Sequence, residues 1–161
     1  MPEQYDSIHT GEVIDSAVQT LFDFGITQES NNLYLACIDG AGITINPQCN
    51  VSYNIFRYTL LDNVCFMTFH IKANISNPGN GYAVIKGLPY TSLYDTGLSV
   101  YEVCGDGFKH DDGNSIIPPV TLNIQSGKNY VRIEDNSGMV ATRWSTGDFW
   151  IGASGFYFIQ N

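Results

Sequence analysis

Between Val64 and Ile75 the chain alternates with a period of two: Cys65, Met67, Phe69, Ile71, Ala73 and Ile75 fall on one parity, and Val64, Phe66, Thr68, His70, Lys72 and Asn74 on the other. The first set is almost wholly apolar and the second turns polar along its length. A helix would scatter both sets around its circumference, whereas a strand puts each on its own side. The segment therefore predicts a strand with one face against a core.

The same reading extends to Tyr53–Leu60, joined to it through Leu61-Asp62-Asn63, and to runs at 82–86, 98–103, 116–124, 130–133, 140–143 and 149–159. Leu33–Ile38 and Ile43–Ile45 read as a hairpin across Asp39-Gly40-Ala41-Gly42. Turn clusters such as Asn77-Pro78-Gly79-Asn80-Gly81 recur about every ten residues with no helical stretch between them. That spacing predicts a mainly β fold, an antiparallel β-sandwich of jelly-roll-like form. Abundant Tyr and Phe and a low share of charged residues (14%) favour strands over solvated helices.

One segment departs from the pattern. Residues 11–24 put Val13, Ile14, Ala17, Val18, Leu21, Phe22 and Phe24 on one half of a helical wheel, and Glu12, Asp15, Ser16, Gln19, Thr20 and Asp23 on the other. Thr10 stands at the N-cap position and Gly25 where a C′ residue belongs. The chain thus divides into residues 1–25, a short amphipathic helix that anchors and oligomerises, and residues 26–161, the β domain; 161 residues suffice for one such core. A helix of this length is marginal alone, so its apolar face needs a partner. It could lie on its own β domain. The expectation is a three-copy bundle through Val13, Ile14, Ala17, Val18, Leu21 and Phe22.

Charge and motif spacing narrow the function. A net charge of -9, with 7 scattered Lys and Arg, argues against nucleic acid. The start, Met-Pro-Glu-Gln-Tyr-Asp, has no signal-peptide pattern, and no run reaches the roughly 18 apolar residues of a spanning helix, so neither export nor membrane insertion is expected. Cys37, Cys49, Cys65 and Cys104 lack metal-ligand spacing and are expected as reduced thiols. The run Asp106 to Asn114, with His110, does not match a calcium loop, and no metal or cofactor is expected. Gly152-Ala153-Ser154-Gly155 is not a nucleophile elbow. Asp111-Asp112 and Glu134-Asp135 read as loop tips rather than paired glycosidase acids. Aromatic residues on loops could instead cover the apolar face of a sugar, and Tyr90, Tyr94, Phe108 and Trp144 are the candidates, each with packing at the edge of the core as its alternative role.

Two groups of residues carry a family resemblance. Thr10-Gly11-Glu12-Val13-Ile14-Asp15-Ser16-Ala17-Val18 resembles the segment that precedes the distal domains of phage tail fibre and baseplate proteins. Tyr58-Thr59-Leu60-Leu61-Asp62-Asn63-Val64, then Ile85-Lys86-Gly87-Leu88-Pro89-Tyr90, and finally Ala153-Ser154-Gly155-Phe156-Tyr157 are similar in order to C-terminal β-sandwich domains of tail fibres. The resemblance implies a homotrimer in the virion, made in the host bacterial cytoplasm, with no shared catalytic residues. The chain lacks a long fibre shaft, which points to a short fibre, head fibre or capsid decoration protein. Its N-terminal segment would dock on other virion proteins and its β domain would face a host surface glycan. A cellular carbohydrate-binding module and a polysaccharide-degrading enzyme are the alternatives.

Overall fold

The computed structural model describes residues 28–30, 33–38, 44–105, 108–110, 120–135 and 142–160. They form eleven strands: β1 Gln28–Ser30, β2 Tyr34–Ile38, β3 Gln48–Leu61, β4 Val64–Asn77, β5 Tyr82–Lys86, β6 Thr96–Gly105, β7 Phe108–His110, β8 Thr121–Ile124, β9 Tyr130–Glu134, β10 Thr142–Trp144 and β11 Gly147–Phe158. The fold is mainly β, and every pairing among the described residues is antiparallel. Segment 11–24, with the six interface residues expected on it, lies outside the described residues.

Nine strands make one sheet in the order β1-β3-β4-β11-β6-β8-β9-β5-β2, and β7 pairs separately with β10. Strand β6 joins the two halves. Its first residues, Thr96 to Leu98, pair with β8, and Ser99 to Gly105 pair with β11. Inward side chains from both halves meet in a single core, among them Phe56 of β3, Phe69 of β4, Ile151 of β11, Ile85 of β5, Leu122 of β8 and Ile133 of β9. The sheet therefore curls around its apolar face instead of lying open.

The platform of the fold is β3, β4 and β11. Strand β4 buries Cys65, Met67, Phe69, Ile71, Ala73 and Ile75, the parity expected from alternation. Asp62, at a φ of 54°, closes the β3–β4 turn, a conformation that Asp tolerates better than most residues.

Residues 39–43, which hold the turn of the expected hairpin, lie outside the described residues, and Thr44 and Ile45 form no ladder with 33–38. Strand β2 pairs instead with β5, from Tyr34 opposite Lys86 to Ile38 opposite Tyr82, and Thr44–Pro47 belong to no strand. Side chains hold that stretch where a ladder would have. Asn46 Oδ1 accepts from the Cys37 backbone N–H (3.1 Å), and the Asn80 N–H donates to Ile45 O (3.0 Å) while its side-chain oxygen accepts from the Ile45 N–H. Three apolar-polar residues were too short a pattern to fix a partner. The expected run 116–124 is a strand only at Thr121–Ile124 among the described residues; of the run 140–143 the described residues are 142 and 143, both in Thr142–Trp144.

Gly81 makes the turn into β5 possible. Its φ is +99°, and a Cβ there would lie 2.6 Å from Ile38 O. The Gly81→Ala variant is expected to lose about 2 kcal/mol or more of unfolding free energy, because backbone strain and a backbone clash act together. Urea denaturation measures it; an unchanged midpoint would mean that the turn has another conformation.

Candidate functional site

Of the four aromatic residues singled out in the sequence, the three whose side chains are described, Tyr90, Tyr94 and Trp144, are not gathered into a shared site. Trp144 is 1% exposed. Its indole N–H donates to Ala36 O (2.7 Å), and its ring meets Phe149 edge-on at 5.0 Å, so it is a core residue with no face to offer a ligand. Tyr90 is half-buried, edge-on to Tyr58, and its carbonyl accepts from the Tyr157 hydroxyl (3.3 Å). Tyr94 is 58% exposed and lies against the edge of Phe158. Phe108 is opposite Trp144 in the β7–β10 register, and its side chain lies outside the described residues.

The acidic pair at 134–135 also departs from expectation. Glu134 is not at a loop tip but at the end of β9, buried, with its Oε1 3.3 Å from Arg132 Nε. That is ion-pair distance without hydrogen-bond geometry, since Arg132 Nε has no hydrogen-bond partner. Ser154 sits within β11, as the strand reading expected. Asp111 and Asp112 lie outside the described residues. Among the described residues no three His, Cys, Asp or Glu side chains stand close enough to hold a metal ion. Cys37, Cys49 and Cys65 are unbridged, and burial pushes all three thiols above their ordinary pKa, which keeps them protonated and poorly nucleophilic.

What the structure does gather lies on the outward parity of the platform. Register places His70 of β4 opposite Gly152 of β11, which in turn faces Glu102 of β6; one step along, Lys72 is opposite Trp150 on one side and Tyr53 of β3 on the other. Two irregularities tune this arrangement. Ser52 has no partner between Val51 and Tyr53, and Tyr101 none between Val100 and Glu102. The first aims Tyr53 outward beside Lys72, and the second lays the Tyr101 ring over Gly152, where its hydroxyl donates to Phe69 O (3.0 Å). A side chain at 152 would displace that ring.

Around His70 the contacts are dense. Tyr53 meets it edge-on with centroids 5.1 Å apart, and Trp150 stacks on it at 5.7 Å with planes 25° apart. The Trp150 indole N–H donates to His70 Nε2, and Glu102 Oε2 lies 3.4 Å from the same atom. The neutral imidazole satisfies the first contact and the protonated one the second. The Lys72 ammonium sits 4.2 Å above the Trp150 ring. Ser52, Tyr53, His70, Lys72 and Trp150 line a groove of about 380 Å³. Toward the β3–β4 turn the same face continues as Phe66 (45% exposed) against Phe156 (50% exposed), with Phe158 beyond.

The outward polarity of His70 and Lys72 could be read from alternation alone. That they meet Trp150 could not, because it depends on pairing with a strand about eighty residues away. No protein-family model matches the chain, and no match was found among curated proteins or solved structures.

Burial raises the pKa of Glu134 above the ordinary carboxylate range, an effect that the Arg132 guanidinium only partly opposes. The folded chain then holds this proton more tightly than the unfolded chain. Its stabilising contribution is complete below the unfolded carboxylate pKa and is lost as pH rises through the raised one. The urea midpoint of Glu134→Gln should accordingly gain on that of the wild type as pH increases from about 4 to 7. A constant difference across that window would show that Glu134 is not desolvated.

Proposed function

We propose that this chain is a non-enzymatic structural and binding component of a bacteriophage particle, a short fibre, head fibre or decoration protein, whose β domain meets the host surface. The observation that carries the binding role is the outer face of β3, β4, β11 and β6, where Tyr53, Phe66, Tyr101 and Phe156 stay exposed on a rigid sheet instead of entering the core. Exposed aromatic rings grouped with polar side chains mark interaction surfaces. The resemblance of Thr10–Val18 and of the Tyr58 to Tyr157 motifs to phage fibre proteins supplies the particle. A two-layer, jelly-roll-like sandwich is the finer form of the fold we propose, supported by the division of β6 between the two halves.

Homotrimeric assembly through Val13, Ile14, Ala17, Val18, Leu21 and Phe22 belongs to the same reading. A cellular carbohydrate-binding module would use the same aromatic face, so the particle and the assembly state separate the two. Mass spectrometry and immunogold labelling of purified particles should find the chain. Light scattering after size exclusion should give a three-copy mass that the Ile14→Asp/Leu21→Asp variant loses, since that change puts unpaired carboxylates into the bundle. A monomer at micromolar concentration, absent from particles, would overturn the proposal in favour of the cellular module.

A further inference from the structure

We propose that the groove of Ser52, Tyr53, His70, Lys72 and Trp150 binds a carboxylate-bearing pyranose, a uronic acid unit within a bacterial surface polysaccharide. The inference deepens the host-surface reading above and rests on it.

Size admits a sugar. About 380 Å³ falls within the range of roughly 300–1,000 Å³ typical of small-ligand sites. The groove lies along a sheet face, not in a closed cavity, which lets a polymer run past on either side of the bound unit. Tyr53, 43% exposed, provides apolar ring surface for the C–H face of a pyranose, and Trp150, stacked on His70 and contacted by Lys72, lines the groove beside it. Ser52, whose hydroxyl donates to Lys72 O (3.3 Å), keeps its oxygen as an acceptor, and the Tyr53 hydroxyl and the His70 imidazole add polar contacts for sugar hydroxyls.

Charge selects the class of sugar. The chain carries a net charge of -9, yet the one ammonium in this groove has no carboxylate within ion-pair distance among the described residues. Glu102, the acidic side chain nearby on β6, faces His70. Lys72 instead rests on the Trp150 ring, which holds the cation at the groove beside Tyr53, its neighbour across the β3–β4 ladder. A carboxylate on the stacked ring would meet it directly, with a charge-assisted hydrogen bond as the reward. A neutral sugar would leave the ammonium unmatched. The long-range field of an acidic protein repels polyanions, so affinity depends on this local contact and weakens with salt.

Isothermal titration calorimetry on the full chain tests the assignment. The probes are tetrasaccharides of galacturonate, glucuronate and mannuronate, each beside its methyl ester, which keeps the shape and removes the charge. At least one acid should bind, and its ester on the order of tenfold more weakly, as loss of one charged hydrogen bond implies. Lys72→Gln should cost about the same factor with the urea midpoint unchanged, Lys72→Arg should recover part of it, and Trp150→Ala should remove binding. Equal affinity for acid and ester, indifference to Lys72→Gln, or tightest binding of a nucleic acid or neutral glycan control would overturn the inference. So would failure of all three acids to bind while the protein still competes with particles for adsorption to cells, and that result would leave the host-surface reading standing. Failure of competition as well would remove both.

Discussion

Twelve consecutive pairs between β4 and β11, with β3 laddered along the other edge of β4, are the constraint on which the rest of the structure depends. Because strand side chains alternate, this one register decides two surfaces at once. Phe69, Ile71, Phe149 and Ile151 go inward to the core, and His70, Lys72 and Trp150 go outward. A slip of one residue in β4 would bury Lys72 and His70 and expose the six apolar side chains that this strand gives to the core. The apolar parity therefore enforces the geometry of the polar one. The outward cluster is held in place by the burial energy of side chains it never touches, on the order of 1.5–3 kcal/mol for each large apolar group.

The second half of the sheet is attached through β6 and closes over that core. Short strands β5, β8 and β9 contribute Ile85, Leu122, Ile124, Val131 and Ile133, all fully buried. Trp144 is fixed there too, its indole bonded to the β2 backbone at Ala36. Strand β9 also brings in a charge, because Glu134 follows Ile133 at the end of the strand and must share a desolvated site with Arg132. The core thus contains a point whose contribution to stability falls as pH rises, while on the outer face Lys72 rests against the Trp150 ring.

How much of this was legible in the sequence depends on the range of the interaction involved. The inward residues of β4 were readable one by one, since alternation is local. Strand β3 was foreseen from Tyr53 onward, but its first residues, from Gln48, alternate weakly and were missed. The pairing of β2 with β5 joins residues nearly fifty positions apart, and no turn signal between Ile38 and Thr44 could announce it. The tryptophans show the same limit at the site. Trp144 has the polar, turn-rich sequence neighbours of a loop residue and is in the core because β10 is short and packs inward. Trp150 was read only as part of a strand, and it became a site residue because β11 lies beside β4. Tyr90 and Tyr94 are near the surface, as a loop position suggests, but they flank Ser92 away from the His70 cluster.

The two tryptophans allow the two-faced platform to be tested directly. In a Trp144→Phe chain the only indole is Trp150, and in a Trp150→Phe chain it is Trp144. The account predicts that acrylamide quenches Trp150 fluorescence severalfold more steeply than that of Trp144, whose indole is sealed between β2 and β11. Equal quenching of the two, or steeper quenching of Trp144, would contradict the register from which both the core and the proposed binding face derive.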